Sequence, residues 1–130
     1  MNCDYATKFD DVIVQGAVWE RVFFITNPDD SPVNLRGASA RLQIRPYLGS
    51  PNVLLDLDSA NGSLVIGSVA GSVTCSVLGA TTAGLKWPPG LRAQGTRISQ
   101  LGVYDLIVTL DAKPYRVYEG RIDLSLSVTR

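Results

Sequence analysis

Apolar residues recur at every second position along most of this chain, and only one segment departs from that rhythm. Side chains two apart share a face of an extended strand, so the alternation confines the chain to β-structure. The stretch from Ala38 to Pro46 shows it best. Ala38, Ala40, Leu42 and Ile44 take one parity while Ser39, Arg41, Gln43 and Arg45 take the other, which predicts a strand buried on one side only.

The same reading extends in both directions. "DVIVQG" leads into "AVWERVFFITN", where Val18, Val22 and Phe24 oppose Trp19, Phe23 and Ile25, so both faces of that strand are expected to be covered. "NPDDSP" follows as a turn, because Pro restricts φ and Asn or Asp side chains bond the nearby backbone. Further runs place Val53, Leu55 and Leu57 in phase, then Val73, Cys75 and Val77, then Tyr104, Leu106, Val108 and Leu110. The last run aligns Ile122, Leu124, Leu126 and Val128, and "DAKP" before it reads as a hairpin turn.

"LGATTAGLKWPPG" resists a strand reading. Thr81 or Thr82 is placed to cap a single helical turn ending near Trp87, beyond which Pro88 and Pro89 stop it. Seven or eight short strands separated by turns, with one short helical turn, predict an all-β antiparallel β-sandwich, since a parallel sheet needs long crossover helices. Residues 1–9 lack periodicity and are expected to form an N-terminal arm on a single sandwich domain spanning residues 10–130.

Composition narrows the chemistry. Twelve Lys and Arg balance twelve Asp and Glu, so no long-range field draws the 130-residue chain to nucleic acid or an anionic membrane. No histidine is present, which removes the commonest general base and metal ligand and reads against an enzyme. No catalytic, metal or cofactor-binding residues are expected. No apolar run reaches transmembrane length, and charges at Asp4, Lys8, Asp10 and Asp11 interrupt any secretion signal. Cys3 and Cys75 are expected to remain free thiols, as in a reducing cytosol.

Asp56 and Asp58 fall on one face of a strand and are expected to keep that face soluble, and Asp29 and Asp30 to serve a turn. No acidic residue then occurs from 59 to 104. That interval holds "KWPPGLRAQGTRISQLG", which gathers Lys86, Trp87, Arg92 and Arg97 in a long loop. Trp87 is expected to close the core, and Arg92 and Arg97 to make surface contacts. With Tyr5, Lys8 and Phe9 of the arm, these residues form the candidate interface.

Five stretches taken together resemble small tail or baseplate proteins of bacteriophages, in particular the N-terminal immunoglobulin-like domain of baseplate upper proteins. They are "GAVWERVFFITN", "PDDSPVNLRGASARLQIR", "LLDLDSANGSLVIG", "TTAGLKW" and "GVYDLIVTLDAKPYRVYEGRIDLSLSVTR". The second is similar to the family's "dG-x-pvDLtGa-x-a-x-x-qiR", with Asn34 where an acidic residue is usual and Ser31 where Gly is usual. The resemblance implies an immunoglobulin-like sandwich in which "PVNLRGA" turns the corner, Leu35 plugs the core and Gly37 takes a conformation a Cβ hinders. It also implies a multi-copy virion protein made in the host cytoplasm and built into the tail, connecting tail or baseplate proteins, a fibre among them. The runner-up is a carbohydrate-binding module, whose rings would come from Trp19, Trp87, Tyr5, Tyr47, Tyr115 and Tyr118.

Overall fold

A computed structural model describes residues 6–67, 70–86 and 97–128. Its strands are β1 (Thr7–Lys8), β2 (Asp11–Val14), β3 (Trp19–Phe24), β4 (Ser39–Arg45), β5 (Leu55–Asp58), β6 (Leu64–Gly67), β7 (Ser72–Val77), β8 (Ile98–Leu110) and β9 (Lys113–Ser125), with one helical turn, α1 (Gly79–Thr82), between β7 and β8. They form two sheets. The larger runs β1-β9-β8-β4-β5, with β2 also on β9, and the smaller runs β3-β7-β6.

The inward parity of both sheets fills one core, so the fold is an all-β sandwich. Ala40, Leu42 and Ile44 of β4 meet Tyr104, Leu106 and Val108 of β8 in register, and all six are buried. Trp19, Phe23, Val73, Cys75 and Val77 supply the other sheet. A fully buried Leu or Ile contributes about 1.5–3 kcal/mol over an exposed one, and the alternating residues of these strands are the source of that gain. The β8–β9 ladder shifts register between Gln100 and Gly102 and again between Leu106 and Ile107. Leu101 and Val117 fall at those shifts, and both are buried.

The corner before β4 forms as the resemblance implies. Leu35 is buried, Gly37 adopts φ +78°, and Ala38 N–H donates to the Leu35 carbonyl at 3.0 Å. Asn34 closes the turn, because its Oδ1 accepts the Arg36 N–H at 3.0 Å. In the preceding turn Asp30 carries the left-handed φ of +67°, next to Ser31. At "DAKP" both Asp111 and Ala112 have positive φ, which makes the two-residue turn type I′ and joins Leu110 directly to Lys113.

Several expectations need correction. Nine strands occur among the described residues, and β1 and β2 run parallel to β9, so the sandwich is not wholly antiparallel. Residues 7–9 are not a free arm: Thr7 and Lys8 pair with Tyr118 and Glu119, and Phe9 N–H donates to the Glu119 carbonyl at 2.9 Å. Two paired residues are too short a strand to show a period. β3 is covered on its Trp19 face alone, because the three-stranded sheet meets the other sheet on one side and leaves Val18, Val22 and Phe24 exposed. Val53 and Val128 are also exposed, since β5 begins at Leu55 and β9 ends at Ser125.

The helical turn starts earlier than expected. Leu78 stands at its N-cap without a side-chain bond, and Thr82 is its last residue. Thr82 is wholly buried and acts as a rivet, accepting Gly16 N–H at 3.0 Å and donating to the Ala17 carbonyl at 2.7 Å. Cys75 is free and buried, and burial pushes its thiol up to about 11. Cys3 lies outside the described residues.

Candidate functional site

Of the sequence-derived interface, Tyr5, Trp87 and Arg92 lie outside the described residues. The other four are exposed but divide between two places. Lys86 follows Leu85, whose carbonyl accepts from Gln15 Nε2 at 3.1 Å, and the Gln15 carbonyl accepts from Ser127 Oγ at 2.5 Å. The Arg97 carbonyl accepts Leu126 N–H at 2.8 Å and its Nε donates to the Leu126 carbonyl at 3.1 Å. Lys86 and Arg97 therefore share the end of the sandwich where β9 finishes. Lys8 and Phe9 sit beside Glu119, six residues back along β9, about 20 Å away at strand rise.

The geometry draws attention elsewhere, to the outer face of the larger sheet. Register sets its outward side chains in transverse rows. Asp56, Gln43, Asp105, Glu119 and Lys8 form the central row, each paired with the next across β5, β4, β8, β9 and β1. Asp58, Arg41, Ile107 and Arg116 flank it on one side, and Arg45, Val103 and Arg121 on the other. An acidic row thus lies between two that carry arginines.

Over these rows the sheet is hollowed. A groove of about 740 Å³ is lined by Lys8, Gln43, Arg45, Asp105, Arg116 and Glu119 among others, with Tyr47 and Leu48 on its wall. A second hollow of about 300 Å³ adjoins it and shares Gln43 and Asp105. The wall is a tight turn in which Ser50 N–H donates to the Tyr47 carbonyl at 3.1 Å. Arg45 braces that turn: its guanidinium donates to the Ser50 carbonyl at 2.7 Å and to Gln43 Oε1 at 3.0 Å. Tyr47, in that turn, stands 61% exposed.

Some charges on this face are already used. Arg41 binds both oxygens of Asp56, at 3.2 and 2.8 Å, and holds that carboxyl below its ordinary range, while Asp58 accepts Ala60 N–H in its turn. Arg121 pairs with Asp123, and its N–H donates to Asp10. Both aspartates of "LDLD" therefore have structural partners. Asp105 differs: burial raises its pKa, with Glu119 opposite adding to the effect and Arg116 and Arg45 opposing it.

Sequence reading placed Arg41, Gln43 and Arg45 on an outward parity but missed Asp105, Arg116 and Glu119 as their neighbours. The available signal was the outward parity of the last two strands, and strand order alone joins it to β4. Among the described residues no group of three or more His, Cys, Asp or Glu is placed to hold a metal ion. No helix there is long and apolar enough to cross a membrane. No protein-family model and no curated protein matches the chain.

Proposed function

We propose that this chain is an immunoglobulin-like structural component of a bacteriophage tail or baseplate, present in several copies and acting as a connector by docking. The motif resemblance supports the tail assignment. The strand order supports the immunoglobulin-like topology: β3, β7 and β6 occupy the positions of strands B, E and D, and β9, β8 and β4 those of G, F and C, with β5 extending that sheet as C′. Phe23 against Tyr104 and Tyr118 stands at the centre, where antibody domains carry an inter-sheet disulfide.

The observation that carries docking is the uncovered face of the three-stranded sheet. Val22 (49% exposed), Phe24 (58%) and Val65 (59%) project from it beside Ser72, Thr74 and Ser76, with Val18 alongside. Glu20 is the only charged residue among the outward positions of β3, β7 and β6. A second copy of the chain is the occupant that fits. Apart from the small polar side chains of β7 the face is apolar, and it is almost uncharged, like its own copy, and a chain of zero net charge does not repel itself. The docking surface proposed is this sheet face, whereas the interface expected from sequence lies on the arm and basic loop, partly outside the described residues.

Sedimentation equilibrium tests this directly. The parent should self-associate, and Val22→Asp with Phe24→Asp should yield monomers with an unaltered β-rich circular dichroism spectrum. A monomeric parent, or a double variant that associates equally well, overturns the interface. Mass spectrometry of purified particles from the phage or induced host that encodes the chain tests the tail assignment, and absence from tail fractions overturns it.

A further inference from the structure

The groove on the larger sheet carries the charged side chains that the outer face of the smaller sheet lacks. Asp105 and Glu119 stand directly across from each other, an arrangement that costs stability between like charges. Neither carboxylate makes a side-chain hydrogen bond or a salt bridge to another described residue, and the same holds for Arg116 and Lys8 beside them. Four unspent charged side chains, two of each sign, therefore line one hollow while the other charges on that face are engaged.

Their balance selects the ligand. With four cationic and three acidic side chains around it, the groove is close to balance and has no strong preference for a polyanion or a polycation. It lies over the face of the sheet and reaches the β1 edge at Lys8, and it sets the apolar surfaces of Tyr47, Leu48 and Val103 beside its charged groups. It is rich in groups for a ligand whose every polar atom both donates and accepts, as hydroxyls do: carboxylates that accept, guanidinium and ammonium groups that donate, and the Gln43 amide that does both. The central row from Gln43 to Lys8 crosses three strand spacings, about 14 Å, and the second hollow extends it, which suits an elongated chain of rings. Tyr47, held at the rim by the braced turn, offers an aromatic face to the C–H side of such a ring.

We infer that this groove binds a neutral oligosaccharide, with Tyr47 stacked on a sugar ring and Gln43, Asp105, Arg116 and Glu119 holding its hydroxyls. Hydroxyl donors would supply Asp105 with the hydrogen bonds that its charged form lacks in the free protein. Of the rings considered as sugar platforms from sequence, Trp19 is buried, and the rings of Tyr115 and Tyr118 pack on the core; Tyr47 alone among the described ones stands at the groove. The inference is independent of the tail assignment.

An array of neutral and charged glycans, followed by an amide NMR titration with the best neutral binder up to about 10 mM, tests it. The resonances of Gln43, Asp105, Glu119 and Tyr47 should shift together. Tyr47→Ala and Glu119→Gln should each weaken binding by about tenfold or more with the fold intact, while Glu20→Gln on the other sheet should leave it unchanged. No neutral binder on the array, shifts confined to other parts of the sandwich, or binding that survives both groove substitutions overturns the inference. Preference for a sulfated glycan or a peptide over every neutral glycan overturns it equally.

Discussion

Thr82 shows how one hydroxyl can determine a connection. It is buried where the β2–β3 turn meets the helical turn, and it satisfies the Gly16 N–H and the Ala17 carbonyl together. Thr82→Val keeps the shape and leaves both groups without that partner, so it should destabilise the fold by about 2 kcal/mol in urea titration. A loss below a few tenths would mean that the turn repacks around the gap. Asp105 has the reverse character. Burial raises its folded pKa, so the folded protein holds that proton more tightly than the unfolded chain does. Stability from this group is therefore present at low pH and falls as pH rises from the ordinary carboxylate value through the raised one. Asp105→Asn should raise the thermal midpoint at pH 7, and the gain should fade below that window. A gain that persists undiminished at pH 3 would place its cause elsewhere. A residue whose charge costs stability in the free protein is the kind retained at a binding site.

At the scale of elements, the β8–β9 hairpin is the longest ladder, and its turn is made without glycine. Asp111 at φ +53° and Ala112 at φ +64° both occupy the left-handed region, which is unfavourable for Ala. Ala112→Gly should relieve that strain and stabilise the domain by about 0.5–1 kcal/mol, despite the greater freedom of Gly in the unfolded chain. Chemical denaturation would measure the gain, and an equal loss would show that unfolded-state entropy dominates. The inward alternation of β4, β8 and β9 was legible in sequence because period two survives wherever one face is buried. The start of α1 was less so. Its N-cap has no side-chain bond to mark it, and the Thr that resembled a cap makes a tertiary contact instead.

For the whole molecule, the joint between the two sheets is aromatic. Phe23 of the smaller sheet meets Phe9 edge-on at 6.2 Å between centroids, Tyr118 at 4.9 Å and Tyr104 at 6.4 Å, all from the larger sheet or its edge. Tyr104 also donates its hydroxyl to the Phe9 carbonyl at 2.6 Å, and Tyr118 donates to the Phe24 carbonyl at 2.7 Å. Phe23→Ala should cost about 3–5 kcal/mol by removing the ring that all three pack on. Val22→Ala, one residue along on the outer face, should change stability by less than about 0.5 kcal/mol when both proteins are measured dilute enough to be monomeric. Similar losses for both in the monomer would mean that Val22 packs within its own sandwich. The two outer faces differ: the smaller sheet exposes Val22, Phe24 and Val65, and the larger carries the groove and its rows of charged side chains.

By itself the sequence determined the strands, most of their inward residues, the "PVNLRGA" corner and the "DAKP" turn, because each depends on a local period or a local φ preference. Residues 7–9, the one-sided cover of β3 and the row of Asp105 beside Glu119 and Gln43 were decided only by the tertiary structure. Each depends on which strand lies next to which, a choice made by core packing between residues as much as 111 positions apart in sequence, as the buried pair Ile13 and Leu124 are. Alternation tells a side chain which face to take, and only sheet order tells it what it will find there.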